Sequence, residues 1–260
     1  MGKEATIWEH LEELLVRLRK ALLAFAIATL IVPFIPLSLS SYKPLLVIVP
    51  NLFLEHVIPK TIEIGGEVIE IKLIASSPFA GLRLYMYSAI LIGLIVSSPY
   101  IAYQIYAFIE PALYPHEKRW VKIGGPVAVI LFLTGVLVAL LIVLPFTYKI
   151  MFILSASVAG DRLVAYASLE DILSSAILIT LATGVAFEVP LIIFFLTYTG
   201  VIEVPSLTGN TMRVLLVASA IIAAVISPDP SGIGMLLFLI PYYMLIVIAV
   251  ALARFLKRRG

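Results

Sequence analysis

The chain has 260 residues, of which 62% are hydrophobic and 13% charged, and its mean hydropathy is +1.12. This composition excludes a water-soluble domain, which needs a far more charged surface. The absence of cysteine excludes disulfides, thiolate metal sites and a cysteine nucleophile, and the net charge of +2 gives no indication of nucleic-acid binding. We therefore predict an all-α integral membrane protein embedded in a lipid bilayer.

Six apolar segments predict six membrane spans in a single domain over residues 1–260. A span needs about 20 apolar residues to cross roughly 30 Å of hydrocarbon. Four segments meet that length, and the last does so if Pro241 is tolerated within its helix. The fifth is short: the turn-forming residues 227–232 favour a short complete span, and the alternative is a helical hairpin that only partly enters the bilayer. The segments are 21–39, 79–97, 123–146, 172–199, 214–226 and 233–253.

The distribution of basic residues predicts the orientation. An even number of spans places both termini on one side, and that side would hold 12 of the 18 Lys and Arg residues. The positive-inside rule then predicts that both termini are cytoplasmic, in a multi-pass protein of the cell membrane. Charged residues recur through the first 20 positions and no small-residue cleavage site follows, so the first span is expected to be the targeting signal.

The first external loop, residues 40–76, contains a predicted β-hairpin. Polar and apolar residues alternate over residues 61–73 on both sides of Gly65 and Gly66, which suit a tight turn. The apolar face of this hairpin is expected to lie on the outer ends of the spans. Ser77 and Pro78 then predict an N-cap and a first-turn proline for the second span.

An aromatic segment separates the second and third spans. Pro99 and Pro111 bracket a helix-sized stretch, and a charged cluster at residues 116–119 follows it. Amphipathic rings favour the membrane–water interface, so we predict a fixed surface beside the membrane. The aromatic residues are Tyr100, Tyr103, Tyr106, Phe108 and Tyr114.

The sequence lacks the usual marks of an enzyme. The three histidines, His10, His56 and His116, fall outside the apolar spans, so no intramembrane pair is expected to bind haem or a metal. No nucleophile elbow, Walker loop or dinucleotide fingerprint is found. We expect a protein without catalytic residues, cofactor or metal.

Glu188 is an ionisable residue deep within the fourth span. An ionised carboxylate there costs several kcal/mol, so such residues usually face a cavity or a partner. Pro190 follows two positions later and frees a backbone carbonyl on the preceding turn, which predicts a polar bend. The alternative is a protonated Glu188 that hydrogen-bonds a neighbouring helix as a structural contact.

Glu13 and Glu117 lie at the predicted cytoplasmic interface. Two converging carboxylates would suit paired guanidinium groups, whose planar donors match carboxylate geometry. The residues alone favour a simpler interpretation, in which Glu13 pairs with Arg17 on a solvated helix face. Glu117 would likewise form a weak surface pair with Lys118 or Arg119.

Four stretches match one known family in the same order and cover most of the chain. They are His10-Leu11-x-Glu13-Leu14 with Arg17-Leu18, Ser77-Pro78-Phe79, Tyr103-Gln104-x-Tyr106-Ala107-Phe108-Ile109-x-Pro111-Ala112-Leu113-Tyr114-x-His116-Glu117-Lys118-Arg119, and Gly184-Val185-Ala186-Phe187-Glu188-Val189-Pro190. Together they resemble TatC, the multispanning receptor subunit of the twin-arginine (Sec-independent) protein translocase.

The resemblance implies a concave six-helix bundle that binds twin-arginine signal peptides of folded cargo proteins. Such a protein would organise single-span partner subunits of the TatA/TatB type for export driven by the proton-motive force, in a homo- or hetero-oligomer. The resemblance makes Glu13 and Glu117 the recognition carboxylates, and places Glu188 in the concave face. It also assigns Arg17, Gln104 and Phe108 to the peptide-binding surface, and an interface or structural role to Ser77, Pro78, Phe79, Pro111, Tyr114 and Pro190.

The chain departs from the family pattern in three places. Leu15 stands where an Arg is usual, Val247 stands where a Glu is common, and residues 227–230 are out of register with the usual Pro-Pro-Asp. These departures weaken the expectation for functional contacts of the last two spans. The alternative function is a small proton- or cation-coupled secondary transporter that uses Glu188, although the internal repeat typical of many transporters is not found.

Overall fold

The computed structural model describes residues 7–36, 43–64, 67–112, 115–159, 166–202, 209–227 and 231–257, with the side chains at 7, 64, 67, 112, 115–121, 159 and 166 excepted. These residues form nine α-helices and four short strands. The helices are α1 (Ile7–Ile31), α2 (Leu45–Val57), α3 (Ala80–Ile109), α4 (Pro115–Val138), α5 (Leu144–Ala159), α6 (Leu169–Ala186), α7 (Val189–Tyr198), α8 (Asn210–Ile226) and α9 (Ile233–Lys257). The strands are β1 (Thr61–Ile64), β2 (Glu67–Glu70), β3 (Lys72–Ile74) and β4 (Tyr166–Ser168).

The chain divides into two compact units. The first contains Met1–Leu46 and Ser88–Ile130, and the second contains Val47–Tyr87 and Leu131–Gly260. The first unit is built on α1 with the second half of α3, and the second holds the strands and α5 to α9. The expectation of one membrane domain over residues 1–260 stays a prediction.

The predicted class, an all-α membrane protein with six helical segments, is confirmed. Three stretches coincide with predicted spans and are long and apolar enough to cross a bilayer: Ala80–Ile109, Leu169–Tyr198 and Ile233–Lys257. A fourth, Lys122–Val158, runs through α4 and α5 as one span. The fifth predicted span is α8, whose 17 residues extend about 25 Å, less than the roughly 30 Å of hydrocarbon.

The first span differs from its predicted boundaries. Helix α1 begins at Ile7, well before the predicted start at residue 21, and ends at Ile31 rather than at residue 39. A 3₁₀ turn, Val32–Phe34, follows it, because Pro33 can start a helical turn but cannot donate the N–H that would continue α1.

The second span extends further than its predicted end at residue 97, because the helix-sized stretch predicted between Pro99 and Pro111 continues it. Helix α3 continues without interruption through Pro99 to Ile109 and has 30 residues, about 45 Å of helix. Pro99 removes the donor that would normally bond the carbonyl of Ile95. The Ser98 hydroxyl donates to that carbonyl at 2.8 Å, so the freed acceptor is satisfied and the helix persists.

The third span also continues through a proline. Five residues of π-helix, Ala139–Val143, join α4 to α5 and end two positions before Pro145. A π-turn changes the backbone bonding register, and it occurs here where Pro145 cannot donate to the preceding turn. The predicted end at residue 146 is therefore too early, because the helix continues to Ala159.

The predicted hairpin is confirmed. Strands β1 and β2 pair antiparallel with Thr61 opposite Glu70 and Ile62 opposite Ile69; Gly65 and Gly66 lie outside the described residues. Ile62 is buried in the same apolar cluster as Tyr148 of α5, as expected for a hairpin that covers helix ends. The sequence did not predict α2, a 13-residue apolar helix in the same loop.

Glu170 joins the segment before α3 to the start of α6, and it corrects the predicted N-cap. The Ser77 hydroxyl donates to Glu170 Oε1 at 2.9 Å, so it does not cap α3; the Ala80 N–H instead donates to the Ser77 carbonyl at 3.1 Å. Glu170 Oε2 accepts from the Ser76 N–H at 3.0 Å and the Ser168 hydroxyl at 3.1 Å. Beside these bonds, β3 pairs parallel with β4. Two loops distant in sequence are thereby held together.

Candidate functional site

The amino-terminal half of α1 presents an acidic face. Glu13 Oε1 accepts two bonds from Arg17, from Nη2 at 2.6 Å and from Nε at 2.9 Å. The pair is one helical turn apart, as the simpler interpretation expected. Among the described residues, Glu13 Oε2 has no donor, and about a third of the side chain is exposed. Arg17 therefore orients Glu13 while leaving one carboxylate oxygen open.

This face carries more negative than positive side chains. A hollow of about 410 Å³ lies along it, lined by three carboxylates, Arg17 and one further cation. With three carboxylates and two cations the lining carries a net negative charge, which favours cations. The lining residues are Glu9, Glu12, Glu13, Val16, Arg17 and Lys20.

Helix α3 meets this end of α1 through a stacked pair of rings. The rings of His10 and Phe108 lie with centroids 4.6 Å apart and planes 23° from parallel. Gln104, one turn earlier on the same face of α3, is 5% exposed, and its Oε1 has no hydrogen-bond partner among the described residues. A buried carboxamide oxygen without a donor is costly, so Gln104 is a candidate for a hydrogen bond that forms when the surface around it rearranges.

A close helix crossing fixes how α1 and α3 align. A Cβ placed on Gly93 would lie 2.7 Å from Thr29 Cα and 2.8 Å from Thr29 N. Only glycine allows such a backbone approach, and the same crossing brings His10 to Phe108 fifteen residues further along α3. The sequence analysis missed this contact, since a single glycine in an apolar span has no distinctive pattern.

The remaining predicted residues of the aromatic segment are only partly described. Pro111 lies exposed in the 3₁₀ turn Glu110–Ala112, and Tyr114 lies outside the described residues. Glu117 is in the first turn of α4, and its side chain is also outside the description. The convergence of Glu13 and Glu117 therefore stays a prediction.

Glu188 lies at a break in the fourth span, as the sequence predicted. Helix α6 ends at Ala186 and α7 begins at Val189, and the Glu188 N–H donates to the Val185 carbonyl at 3.0 Å in a tightened turn. Pro190 has no N–H for the Ala186 carbonyl, which explains why the helix breaks here. The Glu188 side chain is half-buried and approaches the main chain of Phe132.

The surroundings of this break, all within the second unit, are tightly packed. Phe187 is 1% exposed and its ring lies 6.0 Å from Phe238, edge to face. A Cβ on Gly135 would lie 2.9 Å from Gly184 Cα, so α4 and α6 touch backbone to backbone one turn before Glu188. The bend that carries Glu188 is consequently held rigidly.

Two further observations limit the chemistry. Within the described part of the chain, no group of three or more His, Asp or Glu residues is placed to hold a metal ion. The polar side chains described above are carboxylates, a carboxamide and hydroxyls on helices. Such groups bind a partner through hydrogen bonds and charge. Fold and site together define a multi-pass helical membrane protein with an acidic surface and a stacked His10–Phe108 pair on one unit and an intramembrane carboxylate on the other.

Comparison with known proteins identifies the family. The family model described as Sec-independent protein translocase protein (TatC) matches residues 9–241. A TatC protein of Aquifex aeolicus is 34% identical over 73% of this chain and 77% of its own length, and one of Carboxydothermus hydrogenoformans is 28% identical over 98% and 95%. A crystal structure of the twin-arginine translocase receptor TatC in DDM superposes with a TM-score of 0.71 at 31% identity, covering 94% of this chain and 99% of that one. The chain belongs to the TatC family, as the four motifs predicted.

Proposed function

We propose that this chain is the receptor of a twin-arginine translocase, which binds the signal peptides of folded cargo proteins and has no catalytic role of its own. Membership of the TatC family makes it a component of the Sec-independent translocase. The observation that best supports receptor function is the open oxygen of Glu13 on the acidic face of α1. Arg17 orients the Glu13 carboxylate but bonds only Oε1, so Oε2 can accept a hydrogen bond from a second guanidinium.

Glu13 would accept one peptide arginine on Oε2 while Arg17 holds Oε1. A guanidinium binds a carboxylate through a planar fork of donors, so a peptide arginine can also displace Arg17 and bind both oxygens. Glu117, assigned by the resemblance, would receive the second arginine. Gln104 Oε1, buried and without a donor, would accept an N–H of the peptide beside the His10–Phe108 stack.

Glu188 would act in a later step. It lies at a rigid bend within a span and is half-buried, so it is available to a polar side chain on another membrane helix. We assign it to contact with single-span partner subunits of the TatA/TatB type, rather than to peptide recognition. The short helix α8 would thin the bilayer locally and assist passage of cargo.

The proposal includes an orientation with both termini in the cytoplasm. It is supported by the 12 basic residues that an even number of spans places on that side, against 6 on the other. Reporter fusions at either terminus should therefore report the cytoplasm, and a fusion within residues 62–73 should report the external side. An external carboxyl terminus would mean that α8 and α9 are not separate spans.

Signal-peptide binding can be tested directly with purified protein. A twin-arginine signal peptide should co-purify with the chain, and the same peptide with both arginines changed to lysine should bind at least tenfold more weakly. Lysine keeps the charge but loses the planar fork, so this comparison separates geometry from attraction. Equal retention of the two peptides would contradict a receptor role, and the secondary transporter that uses Glu188 would become the better hypothesis.

A further inference from the structure

We propose that the groove between α1 and α3 binds one anionic phospholipid, with Lys20 on its phosphate and the apolar floor of the groove on an acyl chain. The groove has a volume of about 560 Å³ and lies wholly within the first unit. It adjoins the acidic hollow described above, with which it shares only Lys20, and the inference does not depend on the proposed function. Its lining is Lys20, Ala24, Ile27, Ala28, Ile31 and Val32 of α1 with Val96, Ser97 and Tyr100 of α3.

The shape of the groove follows from the close crossing of the two helices. Contact at Thr29 and Gly93 brings the backbones together, and the groove lies beside this contact, since its lining includes Ala28 and Val96. The α1 residues of the lining recur every three or four positions, which is one face of a helix. From Lys20 to Val32 this face extends about 18 Å, close to the roughly 15 Å of one hydrocarbon leaflet.

The polarity of the groove matches a phospholipid from end to end. Lys20 is exposed at the polar end, and among the described residues it has no ion-pair partner. Tyr100 is 42% exposed beside it, the position at which amphipathic rings meet the headgroup layer. Below them the groove is apolar, with Ile27 and Ile31 more than half exposed in the protein alone. Ile27 and Ile31 therefore need an apolar group, such as an acyl chain, packed against them.

Charge decides between a lipid and a signal peptide as the occupant. Arg17 is neutralised by Glu13, whereas Lys20 one turn away carries an unpaired positive charge. At Lys20 the arginines of a twin-arginine peptide would be repelled, and they would be drawn instead to the carboxylates in the rest of the acidic hollow. A lipid phosphate would be attracted, since each Lys near an anionic surface contributes measurably to binding. The mouth of the groove therefore favours an anion.

The test uses the delipidated full chain in detergent, with added dioleoylphosphatidylglycerol or dioleoylphosphatidylcholine, and native mass spectrometry to count bound lipids. One phosphatidylglycerol should bind in preference to phosphatidylcholine. Lys20→Gln should weaken that binding about fivefold, the effect expected of one Lys near anionic lipid. The matched control is Arg19→Gln, which removes the same charge from the adjacent position outside the groove and should change binding less than twofold.

A second pair of variants tests the apolar floor. Ala24→Phe fills the groove and should reduce binding of both lipids, whereas Ala26→Phe makes the same change on an exposed position outside the lining and should not. Equal binding of the two lipids, or equal effects of Lys20→Gln and Arg19→Gln, would overturn the proposal in favour of diffuse surface attraction. Displacement of phosphatidylglycerol by a twin-arginine peptide would assign the groove to the peptide instead.

Discussion

Replacing both Glu13 and Glu117 with alanine should weaken binding of a twin-arginine signal peptide about a hundredfold, and each single replacement about tenfold. A charge-assisted hydrogen bond contributes about 1.5–3 kcal/mol, and a partly exposed site favours the lower end of that range, close to a tenfold change. The two losses of binding free energy should add if each carboxylate binds a different arginine. Titration of a labelled peptide onto purified protein at fixed ionic strength measures all three variants.

The controls separate a specific pair from a general negative field. Glu12→Ala removes a carboxylate from the same acidic hollow, and it should weaken binding less than threefold if Glu13 is a direct contact. Glu117→Lys should be worse than Glu117→Ala, because it places a cation opposite the peptide arginines. Glu188→Ala should leave peptide binding unchanged while reducing transport. A double alanine variant that binds like the parent chain would refute the carboxylate assignment.

The spans were predictable because their signal is local. In a chain of this composition, a run of about 20 consecutive apolar residues predicts a membrane span, and the turn-forming residues between the runs mark the connections. Their ends were less predictable where proline was involved. Pro33 does end α1, but Pro99 does not end α3, because the Ser98 hydroxyl takes the carbonyl that Pro99 leaves free. Whether a proline ends a helix therefore depends here on one neighbouring side chain.

The contacts that hold the candidate sites together were not predictable from the sequence. Ser77 suits an N-cap, yet its hydroxyl bonds Glu170, which lies 93 positions away along the chain. Only the family resemblance assigned Gln104 and Phe108 to a peptide-binding surface, and nothing in their spacing indicates that one is buried without a donor and the other stacked on His10. The bend at Glu188 was predictable, because the proline that causes it, Pro190, is only two residues away in the sequence.

Gly93→Ala should destabilise the protein by about 3 kcal/mol, the upper end of the cost of overpacking. The added Cβ would overlap Thr29 Oγ1 and would also meet Thr29 Cα and N at 2.7 and 2.8 Å, and these backbone atoms cannot move aside as a side chain can. Helix α1 would have to shift away from α3. The midpoint of thermal unfolding in detergent should fall, and peptide binding should weaken with it, because the His10–Phe108 contact depends on the same alignment.

Two further variants make the prediction about Gly93 specific. Gly81→Ala adds the same methyl group to the same helix, where no atom lies within 4 Å, so it should be neutral or slightly stabilising through better helix propensity. Thr29→Ala combined with Gly93→Ala should not restore stability, because the closest carbon and nitrogen belong to the Thr29 backbone and remain. If Gly93→Ala unfolds at the same temperature as Gly81→Ala, the backbone contact between α1 and α3 does not exist. Full rescue by Thr29→Ala would instead mean that the Thr29 side chain, and not its backbone, sets the distance between the helices.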